Sequence, residues 1–243
     1  MIVKRHNKGW EIFFHRAHAL LAMKLALSLD DKYWKAPEFR AEGLSGITEH
    51  DDGQQEWIYS KHLNEANAPL DYRDEDRNDL TQAEKVVNNA LHKSTFIALM
   101  VSRHCHELYK DLDTKKTRQF IDDQKALRKK LRQHLQMKKK TVNDAYDYLR
   151  WCDELSLLLC QGDIPGEGRK IDIGRLPDAG MVSVSLSENN TYRLHPWCFR
   201  DQEVTFTVEY FVVEQLTFRN DKELKNSFDL AAPLVQKFTF VKD

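Results

Sequence analysis

The chain has 243 residues, of which 41% are hydrophobic and 31% charged, with a formal net charge of −1. That is enough apolar material for a sizeable core, and too balanced a charge for nucleic acid to be the expected partner. No apolar run reaches the roughly 18 residues of a spanning helix, and residues 1–10 lack the apolar region and cleavage pattern of a secretory signal, so a cytoplasmic protein with no membrane partner is expected.

Residues 1–4 read as an edge strand. Over 11–29, Phe14, Ala17, Leu21 and Leu25 recur at helical spacing among good helix formers. Residues 31–46, with Pro37, Gly43 and Gly46, read as a connection. A short segment over 47–52 carries His50 and Asp51 and ends at Gly53. Residues 53–80 are polar and irregular, with Trp57, Pro69 and Tyr72. A loop of that length is often a lid or a binding loop.

Helices are predicted over 81–91 and 94–112, the second with Ile97, Met100, Val101, His104 and Leu108 on one stripe. Residues 115–139 form a highly charged helix with a narrow edge of Phe120, Leu127, Leu131 and Leu135. From Lys115 to Lys140 there are eleven Lys or Arg against Asp122 and Asp123. A solvated helix face is the simpler account; steering of a phosphorylated ligand is the other. Thr141 and Asp144 resemble a capping box opening a helix to Cys160. Its stripe of Val142, Ala145, Leu149, Cys152, Ser156 and Cys160 contains Asp153. After Gln161 the chain turns Gly- and Pro-rich, and 182–186, 191–194, 203–211 and 237–241 have strand character. Cys105, Cys152, Cys160 and Cys198 show no CxxC spacing and read as reduced, buried thiols.

The informative residues are the polar ones on apolar stripes. His18, His104 and Asp153 each interrupt the inward face of a different predicted helix. The His50–Asp51 pair follows His18 by 32 residues. A buried ionisable group is costly without a partner, and a metal ion is the simplest partner that several can share. Imidazoles and carboxylates suit Fe, Mn, Zn, Co or Ni. His18, His50, Asp51, His104 and Asp153 are therefore the expected ligands of one or two divalent transition-metal ions. His15 or His106 is a candidate for a second ion or for orienting a ligand. Asp51, Glu49 and Asp52 are the candidate catalytic carboxylates, and Trp57 and Arg103 the candidates for holding substrate. Taken singly, each histidine also fits a satisfied core residue, and Asp153 fits a partner of Arg103 or Arg150.

The order His18, His50–Asp51, Asp153 resembles the HD superfamily of helical metal-dependent phosphohydrolases. Several stretches are also similar to a family of uncharacterised bacterial proteins. These are His18-Ala-Leu-Leu-Ala, His50-Asp51-Asp52-Gly53 with Trp57, Asn67-Ala68-Pro69-Leu70, Ser102-Arg103-His104, Asp153-Glu154-Leu155-Ser156-Leu157 and His195-Pro196-Trp197-Cys198-Phe199. Gln54 stands where that family's pattern has Trp. The superfamily resemblance implies a mainly α fold, an HD-like helical bundle, here with a small C-terminal antiparallel β appendage. The division expected is a helical metal-binding core over 1–161 and a β-rich extension over 162–243, packed together. The function implied is hydrolysis of a phosphomonoester, nucleotide or phosphodiester by metal-activated water, on a small-molecule ligand; a homo-oligomer is compatible with it. A di-iron mixed-histidine oxygenase and a non-catalytic sensing module are the alternatives. Metal content separates the last from the other two, and redox spectroscopy separates those two from each other.

Overall fold

The computed structural model describes residues 1–52, 57, 61–75 and 79–242. The chain opens with a hairpin of β1 (Ile2–His6) and β2 (Gly9–Phe13), then α1 (His15–Ser28). Two short 3₁₀ turns lead to α2 (Arg40–Glu49). Three helices follow: α3 (Thr81–Leu91), α4 (Thr95–Tyr109) and α5 (Lys115–His134). The long α6 (Lys139–Gln161) leads into β3 (Lys170–Leu176), β4 (Gly180–Leu186), β5 (Tyr192–His195) and β6 (Glu203–Val213). The last elements are α7 (Asp221–Leu230) and β7 (Leu234–Val241).

All seven strands join one curled, mixed sheet in the order β1-β2-β6-β7-β5-β4-β3. Neighbours are antiparallel except β5 and β7, which meet in parallel at Tyr192 and Phe240. Helices α1 and α6 pack against this sheet, and Phe13, Leu25, Leu29, Tyr148, Trp151, Phe206 and Phe240 fill the space between. A second apolar cluster joins α3, α4 and α5 through Val86, Val87, Ile97, Val101, Cys105 and Phe120. No described helix is long and apolar enough to cross a membrane. The four cysteines are free and buried.

The expected mainly α, HD-like bundle with a small β appendage is therefore wrong. The molecule is 48% helix and 22% strand, and its sheet is a full layer rather than an appendage. Two of its strands come from the N-terminus. The edge strand expected over 1–4 is β1, but β2 lies where a helix was expected to begin. Trp10 and Phe13 continue the apolar spacing of α1, yet they pair with Arg5 and Ile2 of β1, and Trp10 also with Val213 of β6. Five residues have too short a period for a sequence reading to separate strand from helix. The expected cap of α6 also moves. The helix starts at Lys139, inside which Asp144 pairs with Lys140 at 2.6 Å rather than closing a box with Thr141.

Helix α2 was read as a connection because of its two glycines. One of them serves packing. A Cβ on Gly43 would lie 2.5 Å from Cζ2 of Trp34. The ring cannot swing away easily, since Trp34 Nε1–H donates to the Ala36 carbonyl at 2.5 Å. Gly46 has only ordinary neighbours, Ile97 at 3.9 Å and Met100 at 4.0 Å. The two substitutions should thus differ in sign. Gly43→Ala overpacks the core and should cost about 1–3 kcal/mol. Gly46→Ala should be neutral or stabilising by up to about 1 kcal/mol from helix propensity. Thermal unfolding of the two variants measures the difference.

Candidate metal centre

Four separate elements carry the polar cluster. α1 supplies His15 and His18, which lie three apart and so share a face. The turn after α2 supplies His50 and Asp51, α4 supplies His104, and α6 supplies Asp153. The four imidazoles and Asp153 are buried, and the Asp51 side chain is 13% exposed. Their donor atoms form three overlapping sets, each within 4.8 Å: His15–His18–Asp51, His18–His50–Asp153 and His50–Asp51–His104. The helical periods place these residues inward, and packing of α1 on α2 and α6 brings their faces together.

His50 is the most constrained ring. Its Nδ1–H donates to the Ile47 carbonyl at 2.6 Å, closing the end of α2. A carbonyl only accepts, so Nδ1 carries the hydrogen. The other nitrogen, Nε2, lies 3.1 Å from Asp153 Oδ1 and 3.5 Å from Asp51 Oδ2. A lone pair aimed at two carboxylates is repulsive unless a cation stands there, either a proton on Nε2 or a metal ion. Burial opposes charge on His50, but Asp51 and Asp153 outweigh it and raise its pKa to about 10. Burial likewise opposes ionisation of Asp51 and Asp153, and the His50 charge overcomes it, holding both below the ordinary carboxylate range.

His18 sits between the two carboxylates. Its Nε2 is 2.7 Å from Asp51 Oδ2 and its Nδ1 is 3.0 Å from Ser156 Oγ. The outer histidines are less anchored. Neither ring nitrogen of His15 makes a hydrogen bond, although Nδ1 is 3.3 Å from Asp51 Oδ2, and Tyr72 packs edge-on at 5.3 Å. His104 Nδ1 is buried without a partner. Burial lowers the pKa of His15 to about 4; burial and the nearby His50 charge lower that of His104. Each of the three sets offers two imidazole nitrogens and one carboxylate, a donor mix that suits a divalent transition metal, with Asp51 and Asp153 falling in different sets.

The other candidates lie elsewhere. His106 is not brought to the cluster; two residues beyond His104 it faces away along α4, with Nδ1 3.1 Å from Arg128 Nη2. Glu49 is held by Ser45 at 2.8 Å and Lys93 at 2.9 Å, and Asp52 lies 3.5 Å from Arg16. Arg103 pairs with Glu107 at 2.8 Å and lies over Tyr146. Trp57 stacks on His62 at 4.4 Å and packs near Phe228. Gly53 and Gln54 of the motif lie outside the described residues, as do parts of the expected lid over 53–80. The described part of that segment contains a bridge between Leu63 and Pro69 and a 3₁₀ turn at Tyr72–Asp74.

A cavity of about 40 Å³ reaches His50 and Asp51 between α3 and α4. That is room for a few water molecules. Gln82, Ala83, Val86, Cys105, Leu108 and Tyr109 form its walls. The sequence reading missed these residues because nothing distinguishes them from an ordinary helix–helix seam. Ser156 was read as part of the α6 stripe, without a role beside His18. The signal available was its three-residue offset from Asp153, which puts both on one face of α6.

The proton on His50 generates a pH expectation. With its pKa raised to about 10, metal-free protein holds this proton at neutral pH. A metal ion must displace it, so apparent affinity should rise with pH, by about tenfold per unit for one proton, until the pH passes that value. Calorimetric titration with zinc between pH 6 and 8.5, in buffers of different ionisation enthalpy, reads both the slope and the proton released.

Searches of curated proteins and of solved structures found no match. One family model matches, described as a protein of unknown function (DUF3891), over residues 1–215. The match takes in every residue of the polar cluster and stops just after β6. The chain therefore belongs to the DUF3891 family.

Proposed function

We propose that this chain is a metal-dependent hydrolase acting on a phosphate ester through an activated water. The observation that carries the reading is the pair of carboxylates, Asp51 and Asp153, facing Nε2 of His50, whose other nitrogen is already committed to Ile47. His18, His50, Asp51 and Asp153 would hold the ion. The order of these four residues is similar to that of HD phosphohydrolases, and the reading rests on this donor set, not on a shared fold. A bound divalent ion lowers the pKa of water and polarises a phosphoryl oxygen.

The protein's own residues set the rest. Asp51 lies at the junction of all three histidines of α1 and the α2 turn, so it orients the ligand set. The neutral imidazoles of His15 and His104 stand at its two ends, each able to donate a hydrogen bond to a phosphate oxygen or to ligate a second ion. The small cavity walled by Gln82, Ala83, Val86, Cys105, Leu108 and Tyr109 gives water a way to His50 and Asp51. A phosphorylated substrate would present its reacting end here, and a bulky nucleotide would require α3 and α4 to part.

The carboxylates provide the test. Asp51→Ala should abolish metal uptake, whereas Asp52→Ala, whose side chain turns to Arg16, should retain it. Elemental analysis of protein purified without chelators decides between them, and equal metal in Asp51→Ala and the parent would sink the metal reading. The loaded protein should then turn over members of a panel of phosphomonoesters, phosphodiesters and nucleotides with manganese, iron, nickel or zinc. A filled site that is inactive on the whole panel would overturn the hydrolase assignment; oxygen consumption by the iron form would point to oxidation instead.

A further inference from the structure

We propose that Ser156 is a positioning residue that sets the tautomer of His18, so that His18 presents Nε2 to the ion. The proposal rests on the metal-site reading above and names a group outside the ligand set. Ser156 is fully buried on α6, three residues beyond Asp153. Its Oγ lies 3.0 Å from His18 Nδ1 and 2.7 Å from the Asp153 carbonyl oxygen. A hydroxyl has one hydrogen and can also accept. The carbonyl accepts that hydrogen, and Oγ is then free to accept from His18 Nδ1–H. His18 Nε2 then faces Asp51 Oδ2 at 2.7 Å, a contact between two acceptors unless a hydrogen or an ion lies on that nitrogen.

The device parallels the one at His50. There the backbone carbonyl of Ile47 fixes Nδ1–H unaided. His18 begins near the start of α1, and the atom facing its Nδ1 comes from α6. A hydroxyl relays the carbonyl of Asp153 to it. One helix thus supplies a carboxylate to the cluster with Asp153 and orients a second candidate ligand through Ser156. Outer partners of this kind fix ring orientation and raise the basicity of a ligating histidine. His104 Nδ1 has no such partner, and His15 Nδ1 faces only Asp51 Oδ2, at 3.3 Å.

The test is a double-mutant cycle with cobalt(II) alone as probe, read by its absorption bands and by titration. The four proteins are the parent, Ser156→Ala, His18→Gln and the double variant. Ser156→Ala should weaken cobalt binding by about ten- to a hundredfold. Its metal-free form should unfold near the parent temperature, since alanine suits a buried helix position. On the His18→Gln background the same change should cost nothing further, because no imidazole remains to orient. Equal loss on both backgrounds would mean general loosening of α6 and would overturn the proposal. So would binding within about twofold of the parent in Ser156→Ala. A parent that takes up no cobalt would fail the metal reading itself and this proposal with it; a parent that loads beside an unaffected Ser156→Ala would fail this proposal alone.

Discussion

The rest of the molecule depends on one electrostatic constraint: two carboxylates and four imidazoles are buried at the meeting of α1, α2, α4 and α6. Removing one partner from a buried charged pair typically costs about 3–5 kcal/mol, comparable with a large part of a domain's net stability. The cluster is therefore tolerable only if all its members arrive together. That demand fixes the register of four elements. α1 must stand with His18 against α6, α2 must end so that His50 returns to Ile47, and α4 must turn His104 inward. The sheet supplies the rigid wall against which α1 and α6 can be held at that register.

The helices were largely legible because amphipathic periods survive in the sequence. The same periods exposed the cluster, since His18, His104 and Asp153 interrupt apolar stripes where a hydrophobic residue would cost nothing. The sheet was not legible to the same extent. β2 has only five residues, and its apolar positions run on in phase with α1. What makes it a strand is pairing with β6, some 200 residues away, and no local pattern records a partner at that separation. The failure at α2 has the opposite cause. Gly43 was read as a breaker, but its missing side chain makes room for the Trp34 ring, and tertiary contact overrode propensity.

The candidate site was legible in its residue types and less so in its geometry. A three-residue spacing brought His15 and His18 to one face, whereas His106 was only a candidate for a second ion or for orienting a ligand beside His104. Two residues along a helix turn the side chain by about 200°, and His106 meets Arg128 instead. Glu49 and Asp52 flank the His50–Asp51 pair in sequence, but each has a basic neighbour, Lys93 and Arg16 respectively. Adjacency along a turn says little about direction, because successive side chains at a helix end point to different sides.

The four histidines are chemically distinct although equally buried, and the distinction comes from what stands behind each ring. His50 has a backbone carbonyl behind Nδ1, and His18 has a hydroxyl there. A ring backed by an acceptor has its inward nitrogen fixed, so it can bind a cation without paying to reorient. His15 has no hydrogen-bond partner on either nitrogen, and His104 none on Nδ1. His18 and His50 are thus the anchored rings of the cluster, and His15 and His104 the less anchored ones. An ion that binds only this assembled arrangement also stabilises the fold, by RT ln(1 + [L]/Kd). For such an ion, the cost of burying the polar cluster and the affinity of the site would be one property, set by how closely α1, α2 and α6 hold their register.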